Sequence, residues 1–166
     1  MIKINAGSNA SILSVGIYRA TNLVPNSAIV EKIDSTDEWI QQRTGIKTRH
    51  FAGADESLID MAFAAAEIAI KRAGLSAKDI DTVIFSTITY PYQAPSAATE
   101  LIARLGNSTA AAFDLSAACA GFSYGVGIAS DLVRNHTAQY VLVIGGEKLS
   151  DFTSPTDRAT AFIFAD

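Results

Sequence analysis

The stretch Phe113-Asp-Leu-Ser-Ala-Ala-Cys119-Ala-Gly121-Phe122 carries the transition from a strand to a helix. Residues 111–115 read as a short buried strand, Ser116 to Ala120 are small enough to turn tightly, and an apolar helical pattern runs from Gly121 to about Arg134. A strand that turns directly into a helix is the building unit of a layered α/β fold. The chain's one cysteine sits in that turn. A thiol there meets the unpaired N–H groups and the positive end of the following helix, and both favour the thiolate. Ala117, Ala118, Ala120 and Gly121 leave room beside the sulfur for an acyl group to approach. Cys119 is therefore a candidate nucleophile, set against the alternative that it packs as a small buried hydrophobe.

On both sides of this unit, strands and helices alternate, with capping and turn residues at the joins. Residues 11–18 read as a first strand and residues 26–33 as a short helix. Ser35-Thr-Asp-Glu38 matches a capping box and opens a helix through Gln42, closed by Thr44-Gly45. Asp55-Glu56-Ser57 starts a long helix with Leu58, Met61, Ala62, Ala65, Ile68, Ala69 and Ala73 on one broad face, stopped by Gly74. Residues 81–87 form a β-branched and aromatic run, Ser96 caps a helix that Gly106 closes, and residues 140–144 and 159–164 read as two further strands. The order predicts an α/β fold, a five-stranded mixed sheet with helices on both faces.

The chain of 166 residues is long enough for one domain with a real core. It is 49% hydrophobic and 18% charged, more apolar than an average domain, and carries a formal net charge of -4. With no run of lysine or arginine, it has no electrostatic footprint for nucleic acid or an anionic membrane. A single cysteine excludes an internal disulfide framework and suits a reducing compartment. The first residues, Met1 to Ser8, lack the apolar core of a signal sequence, so the expected location is the cytoplasm. Two features point beyond a self-contained domain. The helix after Cys119 is apolar nearly all round until Asp131 and wants cover on more than one side. The chain also stops at Asp166 directly after a predicted strand, as if a second layer of structure were missing.

Three segments together carry a family resemblance: Thr36-Asp-Glu-Trp39-Ile-Gln-Gln-Arg43-Thr-Gly45-Ile46, the Cys119 turn, and Pro155-Thr-Asp-Arg158 with Phe162-Ile-Phe164-Ala-Asp166. From about Ser11 onward the chain resembles the N-terminal half of 3-oxoacyl-[acyl-carrier-protein] synthase III, an enzyme of two similar thiolase-type halves. The block around Trp39 is specific to that branch, whereas a small-residue cysteine turn occurs across thiolase-like synthases. The resemblance implies a thiolase-like fold, with residues 1–166 as its N-terminal half and the C-terminal half absent from this chain. It implies a condensing enzyme that starts fatty-acid synthesis. Cys119 would take an acyl group from acyl-CoA and pass it to a carbanion made by decarboxylating malonyl-acyl-carrier protein, by covalent catalysis with backbone N–H groups stabilising the oxyanion. The family's catalytic His and Asn come from the C-terminal half. His50 and His136 lie outside the family's His motif and read as solvated surface residues.

The resemblance also implies that CoA adenine lies between Trp39 and Arg158, since a guanidinium and an indole make a good sandwich for a purine. Arg43, one turn beyond Trp39, would reach a phosphate, and Ser35 either caps its helix or hydrogen-bonds the base. Lys47, Arg49 and Arg43 form a small basic cluster for CoA phosphates or an acidic carrier protein. Ala94 stands where relatives present a residue to the partner subunit's acyl pocket, and its small size implies a pocket open to longer or branched starters. Leu149 and Phe164 are candidate walls. The family forms a homodimer through the strand ending at Thr87, the loop through Ala94 and the strand before Cys119. No metal and no tightly bound cofactor is expected, the CoA thioester being a substrate. Two other functions stay open: another thiolase-fold synthase acting on CoA thioesters, and a non-catalytic fragment serving as an assembly module.

Overall fold

The computed structural model describes residues 9–166; Met1 to Ser8, where the absence of a signal sequence was read, lie outside the described residues. Its centre is a parallel sheet of three strands, β3 (Thr82–Ser86), β4 (Ala111–Leu115) and β5 (Val141–Gly145), in the order β4-β3-β5. In register, Ile84 lies between Phe113 and Val143. All five residues of β3 are buried, as a central parallel strand covered on both faces requires.

The alternation along β3 assigns the two layers. Val83 and Phe85 belong to one core with α3 (Leu58–Arg72) and α4 (Ala97–Arg104), including Leu58, Ala62, Ala66, Leu101 and Ile102. Ile84 faces the other side, against α5 (Gly121–Arg134). Helix α5 rides close to the sheet because Gly125 has no side chain: a Cβ there would stand 3.0 Å from Val143 Cγ1 and 3.6 Å from Ile84 Cγ2. Helices α4 and α5 are the crossovers that parallel strands need. Ser57 caps α3 in a reciprocal box with Asp60, and Ser96 caps α4 by accepting from Thr99 N–H. Only Gly121 and Gly125 of α5 are buried, while Phe122 and Tyr124 are 52% and 60% exposed. Among the described residues, the expected cover on more than one side of α5 is therefore present on one side only.

Among the described residues five strands are present, but they fall into two sheets rather than one five-stranded sheet. β1 (Asn22–Pro25) and β2 (Thr48–Phe51) make a separate antiparallel pair flanking α1 (Ser27–Ile33) and α2 (Asp37–Thr44). Both are four residues long, and Pro25, Arg49 and His50 mask their pattern. Residues 11–18, expected as a strand, have no ladder partner among the described residues. They lie instead along α3. Ser14 Oγ donates to Ala69 O at 2.7 Å, Arg72 donates to Val15 O at 2.7 Å, and a Cβ on Gly16 would stand 2.0 Å from Ala65 O. Ile12, Leu13, Val15 and Ile17 are exposed. Residues 159–164, also expected as a strand, form successive turns. Asp157 decides this, because its carboxylate accepts from Ala159 N–H at 2.9 Å and Thr160 Oγ1 at 2.5 Å, drawing the backbone into a turn that an extended strand cannot make.

Candidate active site

Parallel strands send all their carboxyl ends to one edge, and the loops leaving that edge build the site. After β4 the chain passes Ala118 at φ 45°, a left-handed conformation that a non-glycine residue adopts only when its surroundings impose it. A short 3-10 turn, Ala118–Ala120, follows and runs straight into α5. Cys119 occupies this turn and is exposed, not packed as a buried hydrophobe among the described residues. Among the described residues no side chain caps the start of α5. Gly121, expected to make room beside the sulfur, is buried and also serves the packing of the helix. A Cβ on it would stand 1.9 Å from Ser86 Oγ, so its absence lets the helix start against the end of β3.

The neighbouring loops are fixed by a residue that sequence reasoning passed over. Glu147, after β5, accepts from Ile88 N–H at 3.0 Å, Thr89 N–H at 3.1 Å, Thr87 Oγ1 at 3.0 Å and Thr89 Oγ1 at 2.6 Å. One carboxylate thus ties the loop after β3 to the loop after β5, and Lys148 N–H closes the join on Thr89 Oγ1 at 2.9 Å. The signal was an acid directly after the Gly145-Gly146 end of an apolar strand. Asp114 acts likewise from within β4: its carboxylate accepts from Ala97 and Ala98 N–H at 2.8 Å each, pinning the start of α4 beside the Cys119 strand.

The second cluster gathers Trp39, Arg43, Arg158 and Phe162. Helix α2 starts because Thr36, not Ser35, accepts from Trp39 N–H at 3.1 Å, and the Oγ of Ser35 is buried with no partner among the described residues. The capping role expected of Ser35 belongs to its neighbour, whose extended φ and ψ suit the position. Arg43 lies on the indole, its Cζ 4.7 Å from the ring centroid, and Arg158 Cζ lies 6.0 Å from the same centroid. Phe162 meets Trp39 edge to face at 5.1 Å. Trp39 is half-buried, and both arginines are exposed.

Two expectations fail here. Arg49 is not part of a basic surface cluster with Arg43 and Lys47: it is 3% exposed, donating to Asn26 Oδ1 at 2.8 Å and to the Phe162 carbonyl. His50 is not a solvated surface histidine, since it is half-buried in β2 with Nδ1 2.7 Å from Ala20 O. An ion-free pattern cannot distinguish such strand residues from a basic loop. His136 is exposed, as expected. Asp37 completes the network under α2, held below the usual carboxylate range by the Asn26 and Gln41 amides.

The three residues expected to line an acyl pocket sit on separate segments. Ala94 is exposed in the loop between β3 and α4, preceding a cis bond to Pro95. Leu149 is half-buried in a turn after β5, and Phe164 is 36% exposed near the chain end. The Ala94 loop is anchored by Tyr90, whose hydroxyl donates to Glu100 and whose ring meets Tyr92 edge to face at 5.7 Å. Burial, with Glu100 second, pushes the Tyr90 phenol up to about 12. Among the described residues, no helix is long and apolar enough to cross a membrane.

The model for 3-oxoacyl-[acyl-carrier-protein (ACP)] synthase III matches residues 113–166, which include the Cys119 turn and Arg158. The chain is 53% identical over 157 residues to beta-ketoacyl-[acyl-carrier-protein] synthase III 1 of Streptomyces coelicolor, covering 95% of this chain and 46% of that protein. It is 51% identical over 159 residues to the mycobacterial beta-ketoacyl-[acyl-carrier-protein] synthase III of Mycolicibacterium paratuberculosis, covering 96% of this chain and 48% of that protein. Among solved structures, the priming beta-ketosynthase of the R1128 polyketide biosynthetic pathway superposes with a TM-score of 0.93 at 38% identity, over 99% of this chain and 49% of that one. The 3-oxoacyl-[acyl-carrier-protein] synthase III of Aquifex aeolicus gives 0.90 at 40% identity, over 93% and 50%. The chain spans about half the length of the curated relatives it matches. The α/β fold, the cysteine turn and the Trp39 block thus agree with sequence identity along nearly all of this chain, which belongs, over the half of the family's length it spans, to the 3-oxoacyl-[acyl-carrier-protein] synthase III family.

Proposed function

We propose that this chain is the cysteine-bearing, N-terminal half of a condensing enzyme that initiates fatty-acid synthesis. The carrying observation is Cys119, exposed on a strained turn at the carboxyl edge of a parallel sheet. In this reading the Cys119 thiolate attacks the carbonyl carbon of acyl-CoA, and CoA leaves as its thiol. Malonyl-acyl-carrier protein then loses carbon dioxide, and the resulting carbanion attacks the Cys119 thioester, freeing the sulfur and forming 3-oxoacyl-acyl-carrier protein. Splitting the condensation in this way lets each step use the same fixed thiol. The His and Asn that stabilise the enolate come from the other half of the enzyme, and no resident metal or cofactor is needed.

CoA adenine lies on Trp39 in this reading, with Arg158 as its other wall, which the 6.0 Å approach of the guanidinium supports. Ala94, Leu149 and Phe164 line the acyl pocket, and Ala94 admits a longer or branched starter. The enzyme is a homodimer: β4 is a sheet edge and Phe113 on it is 38% exposed, a liability that pairing with a second copy removes. The test is a turnover assay on the full-length protein with acyl-CoA and malonyl-acyl-carrier protein. Release of carbon dioxide with formation of 3-oxoacyl-acyl-carrier protein, lost in Cys119→Ala, is the expected result. Turnover that survives Cys119→Ala would overturn the reading.

A further inference from the structure

The walls of the proposed adenine site come from distant parts of the chain. Trp39 and Arg43 ride on α2, whereas Arg158 and Phe162 belong to the turns near the chain end. Between them lies a buried network. Asn26 donates from Nδ2 to Asp37 Oδ1 at 2.6 Å and to Ile46 O at 2.7 Å, gripping both ends of α2. Its Oδ1 accepts from Arg49 Nη1 at 2.8 Å, and the other terminal nitrogen of Arg49 donates to the Phe162 carbonyl. Among the described residues no carboxylate forms an ion pair with Arg49, and its Nε has no partner. A buried guanidinium without a counter-charge is costly, so a purely structural tie would be better made by a neutral group. What the planar fork supplies is two diverging donors at fixed spacing, one for each wall.

The turn run beyond Arg158 is held by its own hydrogen bonds. Asp157 accepts from Ala159 and Thr160, and Thr160 O accepts from Ile163 and Phe164 N–H. Tying the Phe162 backbone therefore places the backbone at Arg158 as well as the ring that meets Trp39 at 5.1 Å. A base between indole and guanidinium needs about 7 Å, two contacts of about 3.5 Å. Arg158 Cζ lies 6.0 Å from the indole centroid, so the two walls must part by about an ångström to admit the base, and Arg49 and Phe162 limit how far they part. A further slip of α2 against the turns by about an ångström would lose one of the two stacking contacts.

We infer that Arg49 and Phe162 are positioning residues for CoA: Arg49 joins α2 to the turn through Asn26 and the Phe162 carbonyl, and the Phe162 ring braces the indole, together setting the Trp39–Arg158 gap. This rests on the adenine reading of Trp39. The test measures binding of CoA and of 4′-phosphopantetheine, which lacks the adenine nucleotide, to the full-length protein by calorimetry. Arg49→Lys keeps the charge and loses the fork; Phe162→Leu keeps the carbonyl and loses the ring. Each should weaken CoA by several-fold to about tenfold, the range of an aromatic contact, and leave 4′-phosphopantetheine unchanged. In a Trp39→Ala background the loss from Arg49→Lys should shrink, because the stack it positions is gone. A folded variant that binds CoA as the wild type does, or loses both ligands equally, overturns the inference. Should Arg49→Lys not fold, Phe162→Leu decides alone. If Trp39→Ala itself leaves CoA binding intact, the adenine reading has failed, a different result from either.

Discussion

Replacing Gly121 with alanine tests whether the cysteine turn is built by close approach. The new Cβ would stand 1.9 Å from Ser86 Oγ and 3.1 Å from Ser86 Cβ, and Ser86 is buried in the central strand. The first distance is impossible without movement, while the second is tight but tolerable. Overpacking of this kind costs about 1–3 kcal/mol. Alanine offsets it by at most about 1 kcal/mol through helix propensity, and by less at the first helical position. A net loss of about 1–2 kcal/mol is expected in urea unfolding of the full-length protein. Because β3 is held on both sides, the strain should fall on the start of α5, shifting Cys119 two residues earlier and changing its alkylation rate by iodoacetamide. Ser86→Ala removes the 1.9 Å contact and leaves the 3.1 Å one, so the double variant should recover most of the stability and the wild-type alkylation rate. Gly121→Ala with unchanged stability and unchanged alkylation would refute the reasoning, as would additivity of the two substitutions.

Trp39→Ala should weaken CoA binding by about 1–3 kcal/mol, comparable to the loss of base stacking on other aromatics; an unchanged dissociation constant with an intact fold would return the indole to plain packing. Glu56 ties residues 18–21 to the start of α3, and its hydrogen bond from Tyr18, with those from Gly53 and Thr21, lowers its carboxyl from 4.5 to about 2 against the opposing effect of burial. A depressed folded value stabilises the protein above the unfolded value, and that contribution is lost as pH falls from about 4.5 toward 2. Glu56→Gln should flatten this part of the acid-unfolding curve, and parallel curves for wild type and variant would contradict it.

The parts of the fold that could be read from sequence were those where one interaction dominates. The run Thr82-Val-Ile-Phe-Ser86 is apolar because it is buried on both faces, and Ser57, Ser96, Gly74 and Gly106 mark helix ends through caps or positive φ. The segments that misled were those where a distant partner wins. Residues 11–18 have a strand's composition, but α3 supplies Arg72 and the Ala69 carbonyl where a ladder was expected. Residues 159–164 look equally strand-like, yet Asp157 folds them into turns. At the site, Cys119 stood out as the one cysteine in a strand-to-helix turn, and the approach of Arg158 to Trp39 was expected only from the family resemblance. Glu147, Asp114 and Arg49 were not, since an acid or a base looks the same on a surface as in a buried network until its partners 16 to 113 positions away are known.

The most direct test of the account is covalent. Full-length protein incubated with acyl-CoA in the absence of malonyl-acyl-carrier protein, digested and measured by mass spectrometry, should carry the acyl group as a thioester on the peptide containing Cys119, removable by hydroxylamine and absent in Cys119→Ala. An unmodified Cys119 peptide from protein that turns over acyl-CoA would contradict the claim that this cysteine is the nucleophile.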